Sequence, residues 1–223
     1  MLQQNLEFLE RLKENNNRDW FEANRKTYEA TRKELIKFTE LLLTQVRSFD
    51  ASVDVQNPKD CLFRIYRDVR FSKNKAPYKT AMGVVIQKGG KKSPYGGYYF
   101  HIEPGHSFIG GGHYRPSKLV LDAIRRKIYF EYEQFLDIIK SEPFFNTFGS
   151  LRADDSLKRM PKWYEEDHPA AFYLKFKSFV FGHPLTDNQL KEPELAASLS
   201  RLLQPAMSFI DFINESIEES DLL

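Results

Sequence analysis

The sequence predicts a single α+β domain spanning residues 1–223, with a mainly antiparallel sheet of four or more strands flanked by long N-terminal and C-terminal helices. Three observations predict it. Apolar residues recur at helical spacing before residue 50, alternate between about residues 60 and 113, and return to helical spacing from residue 116. The resulting division is helical over 1–50, sheet over 60–113 and helical or mixed over 116–223. A chain of 223 residues buries a core without disulfide or metal staples, and no repeat, long linker or shift of composition divides it.

Each element has its own signal. Leu2, Leu6, Leu9 and Leu12 mark a first helix that Asn15-Asn16-Asn17 ends. Asn17 is placed to cap a second helix over 18–48, in which Phe21, Tyr28, Leu35, Leu42 and Phe49 form an apolar stripe. In Asp60–Phe71, alternation puts Phe63, Ile65, Val69 and Phe71 on one face of a strand and Arg64, Tyr66, Asp68 and Arg70 on the other. Arg67 interrupts the apolar face, which predicts a twist, a bulge or an end there. Met82–Gln87 reads as a second strand, and Tyr98–Glu103 with Ser107–His113 as a hairpin about Pro104-Gly105. A helix then runs over 117–140. Beyond it, Asp167-His168-Pro169 offers a cap, and Phe172–Phe181 reads as a helix followed by a short strand or as one strand. Thr186-Asp187 offers another cap, and the helix from Pro193 to about Ser220 is interrupted near Pro205.

Composition excludes several classes. The 19 Phe and 11 Tyr exclude a disordered chain, and the single cysteine, Cys61, excludes an internal disulfide and a cysteine-rich zinc site. No apolar run reaches the length of a membrane span, and MLQQNLEFLERLKENNN lacks a signal-peptide pattern, so the expectation is a cytoplasmic protein without membrane attachment. The net charge of +2 conceals an asymmetry: Lys59–Lys92 carries ten Lys/Arg against two Asp, whereas Met207–Leu223 carries five acids and no base.

The densest chemistry is RIYRDVRFSKNKAPYK, residues 64–79. Arg64, Arg67, Arg70, Lys75 and Lys79 make an anion-binding surface, with Asp68 between Arg64 and Arg70 to orient their guanidinium planes. The Ser72 hydroxyl and the following turn add donors. The competing reading is a salt-bridged strand with ordinary turn lysines.

The segments NNNRDWFEANRKTYE, RIYRDVRFSKNKAPYK, YYFHIEPG with GGGHYRP, and LKRMPKWYEEDHP occur in this order. In them the chain resembles the bacterial family called domain of unknown function 2461, from about Leu6 to about Leu203. The resemblance implies one α+β unit and supplies no activity, substrate or catalytic residue. Trp163 stands after Pro161-Lys162, where the resemblance leads one to expect a glycine.

A second constellation is Tyr99, His101 and Glu103, alternate residues on one face of a strand. An imidazole beside a carboxylate suits acid–base chemistry, while the plainer reading is a hydrogen-bonded structural histidine. A metal shared by His101, His106 and His113 is not expected. A turn at Gly105 sets His101 opposite about Ile109, leaving His113 four residues farther along, roughly 13 Å away. Gly110-Gly111-Gly112 matches no nucleotide-loop motif, though Arg115 and Ser117 at the next helix start attract anions. Trp20 and Trp163 read as core or groove walls.

The expected function is therefore binding of a small phosphate- or carboxylate-bearing ligand by Arg64, Arg67, Asp68, Arg70, Ser72, Lys75, Lys79 and Arg115, without cofactor or metal. A rival is an enzyme acting on a small anion, with Tyr78 or His101 exchanging a proton and Glu103 or Asp68 orienting the participants. Nucleic acid and an acidic protein are the further partners considered, behind the small ligand. The oligomeric state is not legible.

Overall fold

The computed structural model describes residues 1–54, 57–153 and 155–220. The first helix, α1 (Gln3–Glu14), buries Leu6, Leu9 and Leu12. Asn17 caps α2 (Arg18–Ala23) by accepting from the Trp20 N–H at 2.9 Å. The helix predicted over 18–48 is broken at Asn24, where α3 (Arg25–Arg47) begins. Asn24 lies outside helical geometry; its amide donates to the Trp20 carbonyl and its oxygen accepts from Arg11. Thr31 and Thr39 sit buried on the α3 stripe because each hydroxyl bonds back to a carbonyl of its own helix.

The strand predicted over 60–71 does not form. Asn57 caps a short helix, α4 (Pro58–Cys61), which takes up its start. Past α4 the chain runs as a narrow irregular ribbon with single bridges, Leu62 to Val84 and Tyr66 to Tyr78. Its backbone bonds are Phe63 N–H to Gly83, Lys79 N–H to Ile65 and Arg67 N–H to Pro77. Pro77 has no N–H to return, so pairing stops at Arg67, the residue that broke the alternation.

The sheet comprises β1 (Met82–Gln87), β2 (Gly97–Ile102), β3 (Phe108–His113) and β4 (Phe179–Pro184), in that spatial order and antiparallel throughout. His101 faces Phe108, one residue from the expected register. One sheet face is core: Val84, Ile86, Tyr98, Phe100, Ile109, Phe179 and Phe181 are buried. Phe38 of α3 meets Phe100 there at 5.5 Å between ring centroids. The other face carries Gly83, Val85, Tyr99, His101, Phe108, Gly110 and Gly182, and stays half-exposed at Val85, Tyr99, His101, Phe108 and Gly182.

The helix predicted over 117–140 is broken at Glu131 into α5 (Lys118–Phe130) and α6 (Tyr132–Lys140). It is followed by α7 (Glu142–Phe148) and α8 (Ala171–Leu174). The cap expected at Asp167 is displaced: α8 starts after Ala170, and His168 Nδ1 accepts from the Ala170 N–H. Thr186 and Gln189 form a capping box on α9 (Asp187–Lys191). Pro205 lies in a 3-10 turn between α10 (Leu195–Leu203) and α11 (Met207–Glu218). From α11, Phe209 packs on Phe181 and Phe144, closing the core.

The acidic tail has internal partners. Glu215 and Glu219 pair with buried Lys127, and Glu218 pairs with Lys88 of the basic segment; Asp221 lies outside the described residues. Among the described residues no helix is long and apolar enough to cross a membrane.

Candidate functional site

The ribbon of residues 62–80 is anchored by aromatic packing. Tyr78 is buried and stacks on Phe21 at 4.0 Å between centroids, 12° from parallel, and Tyr66 and Tyr28 close the cluster. The Asn16 side chain holds the Tyr78 backbone: its Nδ2 donates to the Tyr78 carbonyl, and its Oδ1 accepts the Tyr78 N–H. Burial, with the neighbouring Tyr66 and Glu22, raises the Tyr78 phenol above its ordinary pKa. It serves as an anchor, and the phenol that reaches His101 belongs to Tyr99 instead.

Several predicted anion ligands turn inward on their own loop. Arg67 donates to the Ala76 carbonyl at 2.9 Å and to Ser72 Oγ at 3.3 Å, fastening the loop of residues 67–76. Lys75 Nζ donates to the Val69 carbonyl. Asp68 forms a two-point exposed pair with Arg70, which holds its carboxyl below the usual carboxylate range. Arg64 acts on Asp68 only through its charge, so the carboxylate orients one arginine and not two. Arg115 lies beyond the His113 end of β3, with φ of 47° and Asp155 at 3.8 Å, away from the start of β1.

Three cations remain together. Lys79 Nζ and Lys91 Nζ lie 5.6 and 5.4 Å from the centroid of the Phe63 ring. Lys91 also donates to the Leu62 carbonyl at 2.8 Å. Burial first, then the charges of Arg64 and Lys91, lower the pKa of Lys79. Among the described residues neither Lys79 nor Arg64 forms an ion pair. Two ammonium groups thus share one ring, and the Arg64 charge acts on the first of them.

Phe63, expected on the apolar face of a strand, instead stands beside Gly83 at the edge of β1 and meets Tyr99 edge-on at 6.1 Å. Tyr99 begins a hydrogen-bonded chain. Its hydroxyl lies 3.1 Å from His101 Nδ1, and His101 Nε2 lies 3.1 Å from Glu103 Oε2. A carboxylate only accepts, so in the neutral imidazole the proton sits on Nε2, and Nδ1 accepts from the Tyr99 hydroxyl. Phe108 stacks on His101 at 4.9 Å and 19°, and Thr80 Oγ1 reaches Glu103 at 3.5 Å. Burial first, and the Glu103 charge second, push the Tyr99 phenol up to about 12, which keeps it a proton donor at neutral pH.

Gly83 makes this chain fit. A Cβ there would stand 2.6 Å from the Tyr99 hydroxyl oxygen. The basic ribbon and the β2 constellation, separate in sequence, thus meet at Phe63 and Tyr99. Sequence reasoning missed Phe63 and Lys91. Lys91 lies in KGGKKSPYGG, residues 88–97, whose glycines and proline carry no periodicity to place a side chain.

Other groups stay outside the site. Burial and Asp60 push the Cys61 thiol up to about 11, so it is inert at neutral pH. Among the described residues no His/Cys/Asp/Glu group has metal-holding geometry, and His113 Nε2 bonds the Pro94 carbonyl. Trp163, expected in a wall, is 96% exposed and has φ of 80°, a conformation that suits glycine. A cleft of about 500 Å³ elsewhere is lined by Asp137, Asp211 and Glu215, whose charge repels anions.

The architecture is that of an α+β protein with one sheet face buried under helices and the other half-exposed beside a cluster of cations. The chain belongs to the family of conserved hypothetical proteins described as domain of unknown function 2461, whose model matches residues 4–212. No curated protein and no solved structure matches it.

Proposed function

We propose that the chain binds a small phosphate- or carboxylate-bearing anion at Arg64, Lys79 and Lys91, over Phe63. The observation that carries the reading is Lys79, a half-buried ammonium whose charge is disfavoured by burial and by two neighbouring cations. Its charge costs the free protein and returns that cost only when an anion arrives. The discriminating feature is convergence: the ribbon and β2 supply one compact group of side chains, as a small-ligand site requires. A long basic surface for nucleic acid fits less well, because Arg67, Lys75 and Arg70 already have partners in their own loop.

Isothermal titration with inorganic pyrophosphate tests this. The wild type should bind, and Lys79→Met, which keeps the stem packing and removes the charge, should weaken binding at least about tenfold, the worth of one charge-assisted contact. Equal affinity in the two proteins, or no binding by the wild type at low salt, refutes the site.

A second reading has its own observation. The Tyr99–His101–Glu103 chain places a protonated phenol, backed by an imidazole and a carboxylate, beside the cations. That arrangement delivers a proton to a bound anion or withdraws one, as an enzyme's acid–base group does.

A further inference from the structure

We infer that the anion taken by this site carries a flat ring, and that the ring lies against Phe108 over the bare backbone of Gly182, as in a nucleoside di- or triphosphate. The inference rests on the anion site proposed above and adds the chemistry of the ligand's other end.

Sheet register fixes the ground plan. On the half-exposed face one row across the strands reads Val85, Tyr99, Gly110, Gly182, and the next reads Gly83, His101, Phe108, Pro184. The first row therefore carries a large side chain on β2 and none on β3 or β4. With strands about 4.8 Å apart, the row without side chains beyond Tyr99 spans two strands, buried at Gly110 and half-exposed at Gly182. Phe108 walls it from the neighbouring row. One face of Phe108 is occupied by His101, and the other looks across Gly182. Tyr99 closes the inner end, 5.7 Å from Phe108 between centroids.

The protein's own packing explains every strand glycine but one. A Cβ at Gly83, Gly97, Gly110, Gly111 or Gly112 would meet another atom at 2.0–2.6 Å. At Gly182 the nearest atoms are Phe108 Cδ2 at 3.7 Å and the Ile109 carbonyl oxygen at 3.8 Å, ordinary contact distances, and its φ lies outside the left-handed region. A larger residue fits there, and β-branched residues are the usual occupants of a strand. Glycine inside a strand with room to spare marks a close approach by something else.

Charge complementarity selects the occupant. The cations stand over Phe63, whose backbone pairs beside Gly83 one spacing outside β1. Three strand spacings, roughly 14 Å, separate that edge from β3, which carries Phe108. A bare inorganic anion does not span both ends. A flat ring joined to phosphates by an extended linker does, passing over Tyr99. Stacking on an aromatic side chain accepts any planar base, so the class is set by ring and charge rather than by one base.

Titration of ADP against inorganic pyrophosphate tests the ring separately from the charge. Wild type should bind ADP about 5- to 150-fold more tightly, the range that removal of a stacking ring reads. Gly182→Val fills the gap without straining the strand, and should bring ADP down to the affinity of pyrophosphate while leaving pyrophosphate unchanged. Phe108→Leu, which keeps apolar volume and removes the ring, should do the same, with a retained melting transition confirming the fold of both variants. Equal affinities in the wild type, or an ADP preference that survives both variants, overturn the ring inference while the anion site stands. Failure of wild type to bind either compound overturns both.

Discussion

Gly83→Ala applies one methyl group to the junction of the site. Its Cβ would lie 2.6 Å from Tyr99 Oη, 3.0 Å from Cε2 and 3.1 Å from Cζ. Comfortable carbon contacts begin near 3.5 Å, so the tyrosine must retreat by about 1 Å. The Tyr99 hydroxyl is 3.1 Å from His101 Nδ1, and such a retreat carries the pair beyond hydrogen-bonding distance. Overpacking costs about 1–3 kcal/mol and the lost bond about 0.5–1.5 kcal/mol. Relief of glycine's backbone entropy returns about 0.5–1 kcal/mol. The net loss is about 0.5–4 kcal/mol, a fall in Tm of about 1–16 °C for a chain of this size. Calorimetry on wild type, Gly83→Ala, Tyr99→Phe and the double variant closes a cycle. In the Tyr99→Phe background the nearest atom is gone, so Gly83→Ala should cost at least about 1 kcal/mol less. Costs equal within about 0.3 kcal/mol in the two backgrounds would show that the phenol and Gly83 are not coupled.

The same geometry sets three other outcomes. Lys79→Met should stabilise the free protein by about 0.5 kcal/mol near pH 7. Because the folded pKa of Lys79 lies below its ordinary 10.5, the unfolded chain holds that proton longer, so the gain should shrink as pH rises toward 10.5; a gain constant with pH in chemical denaturation contradicts this. Trp163→Gly, at a φ of 80°, should raise Tm by about 2–4 °C in calorimetry, and a lower Tm would mean that the indole is packed. Asp68→Asn should leave pyrophosphate affinity unchanged within about twofold, because its bonds go to the exposed Arg70; a larger loss would restore it as an organiser of the site.

The parts of the fold that rest on local chemistry were legible. Asn17 and Thr186 cap where their side chains predict, Met82–Gln87 is a strand, and Pro205 interrupts the last helix. The helix breaks at Asn24 and Glu131 were not, because apolar spacing continues through both. Alternation over residues 60–71 has the period of a strand, yet a ladder needs a partner able to return each bond, and Pro77 is not one. That single misreading sent Phe63 to the wrong face. For the site, alternation on β2 placed Tyr99, His101 and Glu103 on one face, and charge density pointed to Lys79. The contact between them was invisible, since it depends on Asn16 gripping Tyr78 across 62 residues and on a lysine in an aperiodic loop.

The arrival of β4 has a kinetic consequence. Strands β1 to β3 form a meander of short-range contacts, whereas β3 and β4 pair only after residues 114–178 have been organised. Long-range pairing of this kind is slow to form, so β3 presents an unpaired edge through much of folding. That edge reads Phe-Ile-Gly-Gly-Gly-His, and three consecutive glycines make it a poor template for a strand from another chain. The residues that let β4 approach closely in the finished sheet also protect its nascent neighbour from aggregation.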